Sequence, residues 1–232
     1  MSLLWSVEPV TVRVRGSDAE FPVRRIYCVG RNYVDHIREM KEGDERDDPF
    51  FFQKPTDAVV ADSHTVAYPP DTADLQFEGE LVVAVGKPAR AVGAESALDV
   101  IYGYAAGIDL TRRDRQKDAL RQSRPWEPGK AFDQSAPCGA IVPATAAPGV
   151  LAGSLELSVN GVARQRTTFD LMIWKVPEII ARLSAQYALE PGDLIYTGTP
   201  AGVGAVHPGD DIEVRITDLP ALHVTIGPKE QG

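Results

Sequence analysis

Glu78-Gly79-Glu80-Leu81-Val82-Val83-Ala84-Val85 sets two carboxylates at the mouth of an unbroken apolar run. Such a short apolar run reads as a β-strand. Side chains alternate along a strand, so Glu78 and Glu80 point to the same side. Outward from this stretch the same texture returns. Arg25-Ile26-Tyr27-Cys28-Val29-Gly30 reads as a buried strand stopping at glycine, and further strands are expected at 101–110, 155–159, 193–197, 212–216 and 223–226. Asn160-Gly161, between two β-like runs, predicts a tight hairpin because both central residues of that turn need positive φ. One amphipathic helix is expected over 176–187, with Pro177 in its first turn and Ile179, Ile180, Leu183 and Tyr187 on one face. Regular βαβ alternation is missing, which argues against a doubly wound sheet. The expected fold is α+β and mainly β, with irregular loops and no internal repeat.

Residues 1–22 read as an N-terminal extension, with a strand over 10–14 and a turn at Gly16-Ser17-Asp18. The main domain is expected over 23–228. Residues 31–48 are highly charged and carry helical spacing.

The chain has 232 residues, 44% of them hydrophobic, enough for a sizeable core and too much for a peptide hormone or disulfide scaffold. Its formal charge of −9, with scattered basic residues, argues against nucleic acid as a partner. Cys28 and Cys138 lie far apart, without zinc-ribbon spacing, and suit a reducing compartment. The N-terminus lacks a basic-then-apolar signal pattern, so the reading is cytoplasmic, with no membrane partner.

Chemistry concentrates at a few positions. The Glu78 and Glu80 pair is either a solvated polar edge or two ligands. Asp109, closing the apolar run 101–108, is either a turn starter or a third ligand. Three carboxylates without sulfur or imidazole would form a hard-oxygen site for Mg²⁺, Mn²⁺ or Ca²⁺. Three negative charges against two would leave the site about one negative. His36 and Glu39, three apart, are neighbours on a helix: a solvated face, or a general base with its orienting partner. Lys130 enters an apolar segment after Pro128-Gly129, as a surface lysine or an oxyanion donor. Arg112 and Arg113 are a solvated pair or meet a substrate carboxylate. Thr197 to Gly204 lacks a phosphate-loop lysine and reads as a backbone turn. His64, His207 and His223 read as structural or surface residues.

These residues fall within ordered motifs: Tyr27-Cys-Val-Gly-Arg-Asn-Tyr33, His36-Ile-Arg-Glu39-Met, Phe51-Phe-Gln-Lys-Pro55, Glu78-Gly-Glu80, Gly107-Ile-Asp109-Leu-Thr-Arg-Arg-Asp114, Gly129-Lys130-Ala-Phe-Asp-Gln-Ser-Ala-Pro137, Val159-Asn-Gly161 and Tyr196-Thr-Gly-Thr-Pro-Ala-Gly-Val-Gly204. In that order and spacing, from about Val23 to Ile226, the sequence resembles the fumarylacetoacetate hydrolase family, and within it the acylpyruvate hydrolase branch. The resemblance implies a β-roll of mixed sheets with few helices, usually a homodimer. It implies Glu78, Glu80 and Asp109 as ligands of Mg²⁺ or Mn²⁺, His36 and Glu39 as a water-activating pair on a lid segment, and Lys130 as the lysine that steadies oxyanionic charge. It places Arg31, Arg113, Gln116 and Thr199 along the pocket of a small 2,4-dioxo acid. The implied reaction is hydrolysis of an acylpyruvate carbon–carbon bond to pyruvate and a carboxylic acid such as fumarate. Oxaloacetate decarboxylation and 2-oxo acid enol–keto isomerisation are the rival chemistries on the same fold, and a non-catalytic metal- or carboxylate-binding module is the remote alternative. The sequence departs from relatives at Phe77, where His or Tyr is usual, and at Gly79, where a larger residue is usual. A glycine between the ligands predicts a locally looser strand.

Overall fold

A computed structural model describes residues 4–40 and 47–229. Two mixed sheets dominate it. The larger runs in the order Val142–Pro143, Ile101–Ile108, Gly79–Val85, Asp193–Tyr196, Arg25–Gly30 and Phe50–Lys54, with Asp193–Tyr196 parallel to Arg25–Gly30. The second runs Val162–Thr168, Ser154–Val159, Asp211–Ile216, Leu222–Lys229 and His64–Tyr68, with its last pair parallel. A smaller sheet of Thr111–Arg112, Leu75–Phe77 and Gly204–Ala205 lies beside the ligand strand.

The six-stranded sheet is covered on both faces, which is why its central strands read as continuous apolar runs. Leu81, Val83 and Val85 enter one core with Leu157, Val214 and Ile180. Val82 and Ala84, pointing the other way, join Ile26, Cys28, Leu194 and Tyr196 in a second. Residues 1–22, expected to be an extension, contribute a hairpin of Thr11–Arg13 and Glu20–Pro22, and Val12 and Phe21 of that hairpin are buried in the second core.

The expected elements are present with shifted ends. The strand expected over 101–110 stops at Ile108, freeing Asp109 and Leu110 for other partners. Asn160 and Gly161 adopt φ of 51° and 75° between two paired strands. The long helix spans Val176–Gln186, and Glu178 in its first turn accepts the Lys175 N–H at 2.8 Å. In the charged stretch a helix covers Val34–Met40; residues 41–46 lie outside the described residues. No helix among the described residues is long and apolar enough to cross a membrane.

Gly107 shows how tightly the strands that carry the site are packed. A Cβ there would stand 2.4 Å from Val82 Cγ2 and 2.8 Å from Tyr196 Cε1. Tyr196 is in turn fixed, its hydroxyl lying 3.1 Å from the carbonyl of Pro137 and 3.2 Å from that of Ala136. Gly107→Ala is therefore expected to cost about 1–3 kcal/mol by overpacking. Urea denaturation with an unchanged midpoint would contradict this packing.

Candidate metal centre

The ligands are brought together by strand pairing. Gly79 opposes Ile108 and Glu80 opposes Gly107 on adjacent antiparallel strands. One step beyond the pair, the Asp109 N–H donates to the Glu78 carbonyl at 2.8 Å. Two residues 29 or more positions away in sequence thus meet across one ladder, and Glu78, Glu80 and Asp109 each offer an oxygen within 4.8 Å of the others. All three are buried.

Three cations surround them. Lys130 Nζ lies 2.7 Å from each of Glu78 Oε2, Asp109 Oδ2 and Thr111 Oγ1. Arg113 pairs with Glu78 Oε1 and also donates to Gln76 at 2.8 Å and Gln116 at 2.5 Å. Lys54 Nζ stands 2.8 Å from Asp109 Oδ1, and it donates to the carbonyls of Leu110, at 3.1 Å, and Lys130. The sequence-based charge count set three carboxylates against one divalent ion and left out the protein's own cations. Counting only side chains in ion pairs with the triad, three carboxylates face three buried cations. Lys54 was missed because Phe-Gln-Lys-Pro reads as an ordinary strand end. The clue lies in its register: Lys54 pairs with Ile26, a fully buried position.

Electrostatics divides the two glutamates. Burial works to raise Glu78, but Lys130 and Arg113 outweigh it and hold the carboxyl far below the usual range. Burial and the charges of Asp109 and Glu78 push Glu80 well above it, against one hydrogen bond from the Gly198 N–H at 2.7 Å. Burial also opposes charge on Lys130, yet Asp109 and Glu78 raise it overall.

The donor set fits a hard divalent ion. All three donors are carboxylate oxygens, the ligand type that Mg²⁺, Mn²⁺ and Ca²⁺ prefer, and they converge within 4.8 Å of one another. The lysine contact to Asp109 Oδ1 lacks hydrogen-bond geometry, so this buried oxygen accepts no hydrogen bond. A cation would satisfy it and offset the repulsion that lifts Glu80.

Nine of the ten residues named from the sequence line a single cavity, with Glu39 the exception. Glu39 stands behind His36, its Oε2 3.5 Å from His36 Nδ1, within ion-pair reach but without hydrogen-bond geometry. Both its oxygens receive the Gly202 N–H, at 3.1 and 3.2 Å. The imidazole, opposed by partial burial and aided by that amide, keeps Glu39 below the usual carboxyl range. Arg113 lines the cavity as expected, but its guanidinium is engaged with Glu78, Gln76 and Gln116. Arg31, with φ of 59°, lays its guanidinium over Phe50 and Trp126 at 5.5 and 5.9 Å. Gly79 is not loose: it is paired within its strand, and a Cβ there would come within 2.9 Å of Leu157 Cδ1. Glycine at this position serves close approach.

Comparison with known proteins agrees with this geometry. Residues 25–227 match the family described as fumarylacetoacetate (FAA) hydrolase C-terminal. A fumarylpyruvate hydrolase from Ralstonia sp. is 48% identical over 183 residues, covering 78% of this chain and 94% of its own. A mitochondrial oxaloacetate tautomerase of Bos taurus is 41% identical over 193 residues, 83% of this chain and 87% of its own. The crystal structure of fumarylpyruvate hydrolase from Pseudomonas aeruginosa with Mn²⁺ and pyruvate superposes with a TM-score of 0.96 at 45% identity, covering 98% of this chain and all of that one.

Two measurements follow. At a hundredfold excess over its Kd, Mn²⁺ should stabilise the chain by about 2.7 kcal/mol, raising Tm by roughly 5–10 °C, and EDTA should reverse the shift. Glu80→Gln should weaken Mn²⁺ binding by at least about tenfold; unchanged calorimetric affinity would remove Glu80 from the ligand set.

Proposed function

The chain belongs to the fumarylacetoacetate hydrolase family, and from that premise we propose that it hydrolyses the C3–C4 bond of an acylpyruvate, fumarylpyruvate foremost, to pyruvate and a carboxylic acid. The observation that carries this reading is a buried carboxylate triad and a histidine with its own carboxylate partner opening onto one cavity. The Mn²⁺ and pyruvate bound by the Pseudomonas aeruginosa relative support it.

Glu78, Glu80 and Asp109 would hold Mn²⁺ or Mg²⁺, and the chemistry such an ion supplies when bound is polarisation of a chelated 2-oxo oxygen. The charge of the pocket suits the substrate. The three carboxylates of the triad balance the Lys54, Lys130 and Arg113 paired with them, so a divalent ion would leave the site formally positive, complementary to a substrate with two carboxylates. His36 acts as the general base. Its Nδ1 faces Glu39, which leaves Nε2 to take a proton from a water aimed at the C4 carbonyl. Glu39, held ionised, favours the Nδ1–H tautomer and steadies the imidazolium once it forms. Lys130 supplies positive charge at the cavity wall toward the oxyanion developing at C4. Arg31, Gln116 and Thr199 shape the pocket, and Arg113 acts mainly by fixing Glu78. We take residues 23–228 as the catalytic unit and a homodimer as its working form.

The tautomerase relative supports a second reading, keto–enol interconversion of oxaloacetate at the same residues. Assays on fumarylpyruvate and oxaloacetate, with and without chelator, separate the two. In the hydrolase reading, fumarylpyruvate is consumed with a metal-dependent loss of enol absorbance and release of pyruvate and fumarate. His36→Ala should lower kcat for that reaction by about 10²–10⁴ while Mn²⁺ affinity stays within twofold. Near-normal turnover in that variant would refute the role given to His36.

A further inference from the structure

Gln165 lies on the strand Val162–Thr168 between Arg164 and Arg166, both exposed, yet it is itself fully buried. Its whole amide is engaged. Oε1 accepts the Gly79 N–H at 2.9 Å, while Nε2 donates to Thr199 Oγ1 and to the Pro200 carbonyl, each at 2.8 Å. Thr199 Oγ1 in turn donates to the Gly79 carbonyl at 3.0 Å. Gln165, Gly79 and Thr199 thus close a ring, and the residue gripped from both its N–H and its carbonyl is the one between Glu78 and Glu80.

The other end of this grip is a loop with two further duties. Gly198 donates its N–H to Glu80, and Gly202 donates its N–H to Glu39. Gly202 also abuts the strand of Gln165 directly, since a Cβ there would stand 2.2 Å from the Arg164 carbonyl. One side chain therefore ties together the backbone of the glutamate pair and the loop that orients both Glu80 and the partner of His36. We infer that Gln165 is a positioning residue that sets the metal-ligand pair and the His36–Glu39 pair in mutual register. It lies outside the set of residues that line the cavity. The inference rests on the metal site of the proposed function.

The test uses the full chain with Mn²⁺ as probe. Gln165→Met keeps the length of the side chain and removes all three hydrogen bonds. Gln165→Glu keeps the oxygen facing Gly79 but has at most one donor for the two acceptors. Mn²⁺ affinity by calorimetry, amide hydrogen exchange over 198–204 and kcat are measured for both. Loss of an outer partner of a metal site commonly weakens binding by about ten- to a hundredfold. That loss is expected for the Met variant, with the Glu variant between it and the parent, faster exchange over 198–204, and kcat falling more than KM changes. A folded Met variant that binds Mn²⁺ within about twofold of the parent overturns the inference and leaves Gln165 a packing residue. If the Met variant does not fold, the Glu variant decides by the same limit. Failure of the parent chain itself to bind Mn²⁺ would overturn the metal-site reading and this inference with it.

Discussion

Everything in this molecule that concerns chemistry depends on the cost of confining three carboxylates, out of water, within 4.8 Å of one another. At an effective dielectric constant near 20, each like pair at that separation repels by roughly 3–4 kcal/mol, before any loss of hydration. Lys54, Lys130 and Arg113 offset part of this. They do so unevenly: Glu78 touches two of the cations, whereas Glu80 is in contact with none and takes one backbone amide. The pocket therefore has one carboxyl that resists ionisation by itself, and a divalent ion is the partner that relieves it. Affinity for the ion and the strain of the pocket have the same origin.

Strand register converts that local arrangement into a property of the fold. Glu78 and Asp109 meet because Gly79 faces Ile108 across the ladder and the Asp109 N–H then bonds the Glu78 carbonyl one step beyond. A slip of one residue would send the glutamates to the opposite side, where Leu81, Val83 and Val85 pack into the first core. The close fits of Gly107 against Val82 and Tyr196, and of Gly79 against Leu157 of the other sheet, oppose such a slip, since neither glycine leaves room for a side chain in its place. The packing that gives the sheet its stability is also what fixes the ligand geometry.

Much of this was legible in the sequence, for reasons that differ by residue. The central strands announced themselves as apolar runs because both faces of the larger sheet are covered, and Asn160-Gly161 fixed a hairpin through its backbone demands alone. The two-residue strands carried no signal, being too short for any period to register. Glu78, Glu80 and Asp109 could be marked as carboxylates at the ends of apolar runs, but their burial followed only from the resemblance. Lys54 and Gln165 were invisible for a shared reason. Each is a polar residue in a stretch that composition reads as a strand end or a solvated strand, and each is buried by partners far along the chain. Parity held a clue to Gln165, which opposes Leu157 of the core while Arg164 and Arg166 face solvent.

The acid–base side of the site depends on the same scaffold by a longer route. Asn32, fully buried, donates to the Trp174 and Thr197 carbonyls and accepts the Trp174 N–H. These bonds fix the root of the helix Val34–Met40, and Glu39 at its far turn takes the Gly202 amide. His36 is thus suspended between two attachments to the segment that follows the strand Asp193–Tyr196, the segment whose Gly198 holds Glu80. A displacement of about 1 Å in a reacting group can cost on the order of a hundredfold in rate. With base and metal ligand tied to one loop, a movement of that loop carries both together, so the distance between them is better preserved than the position of either.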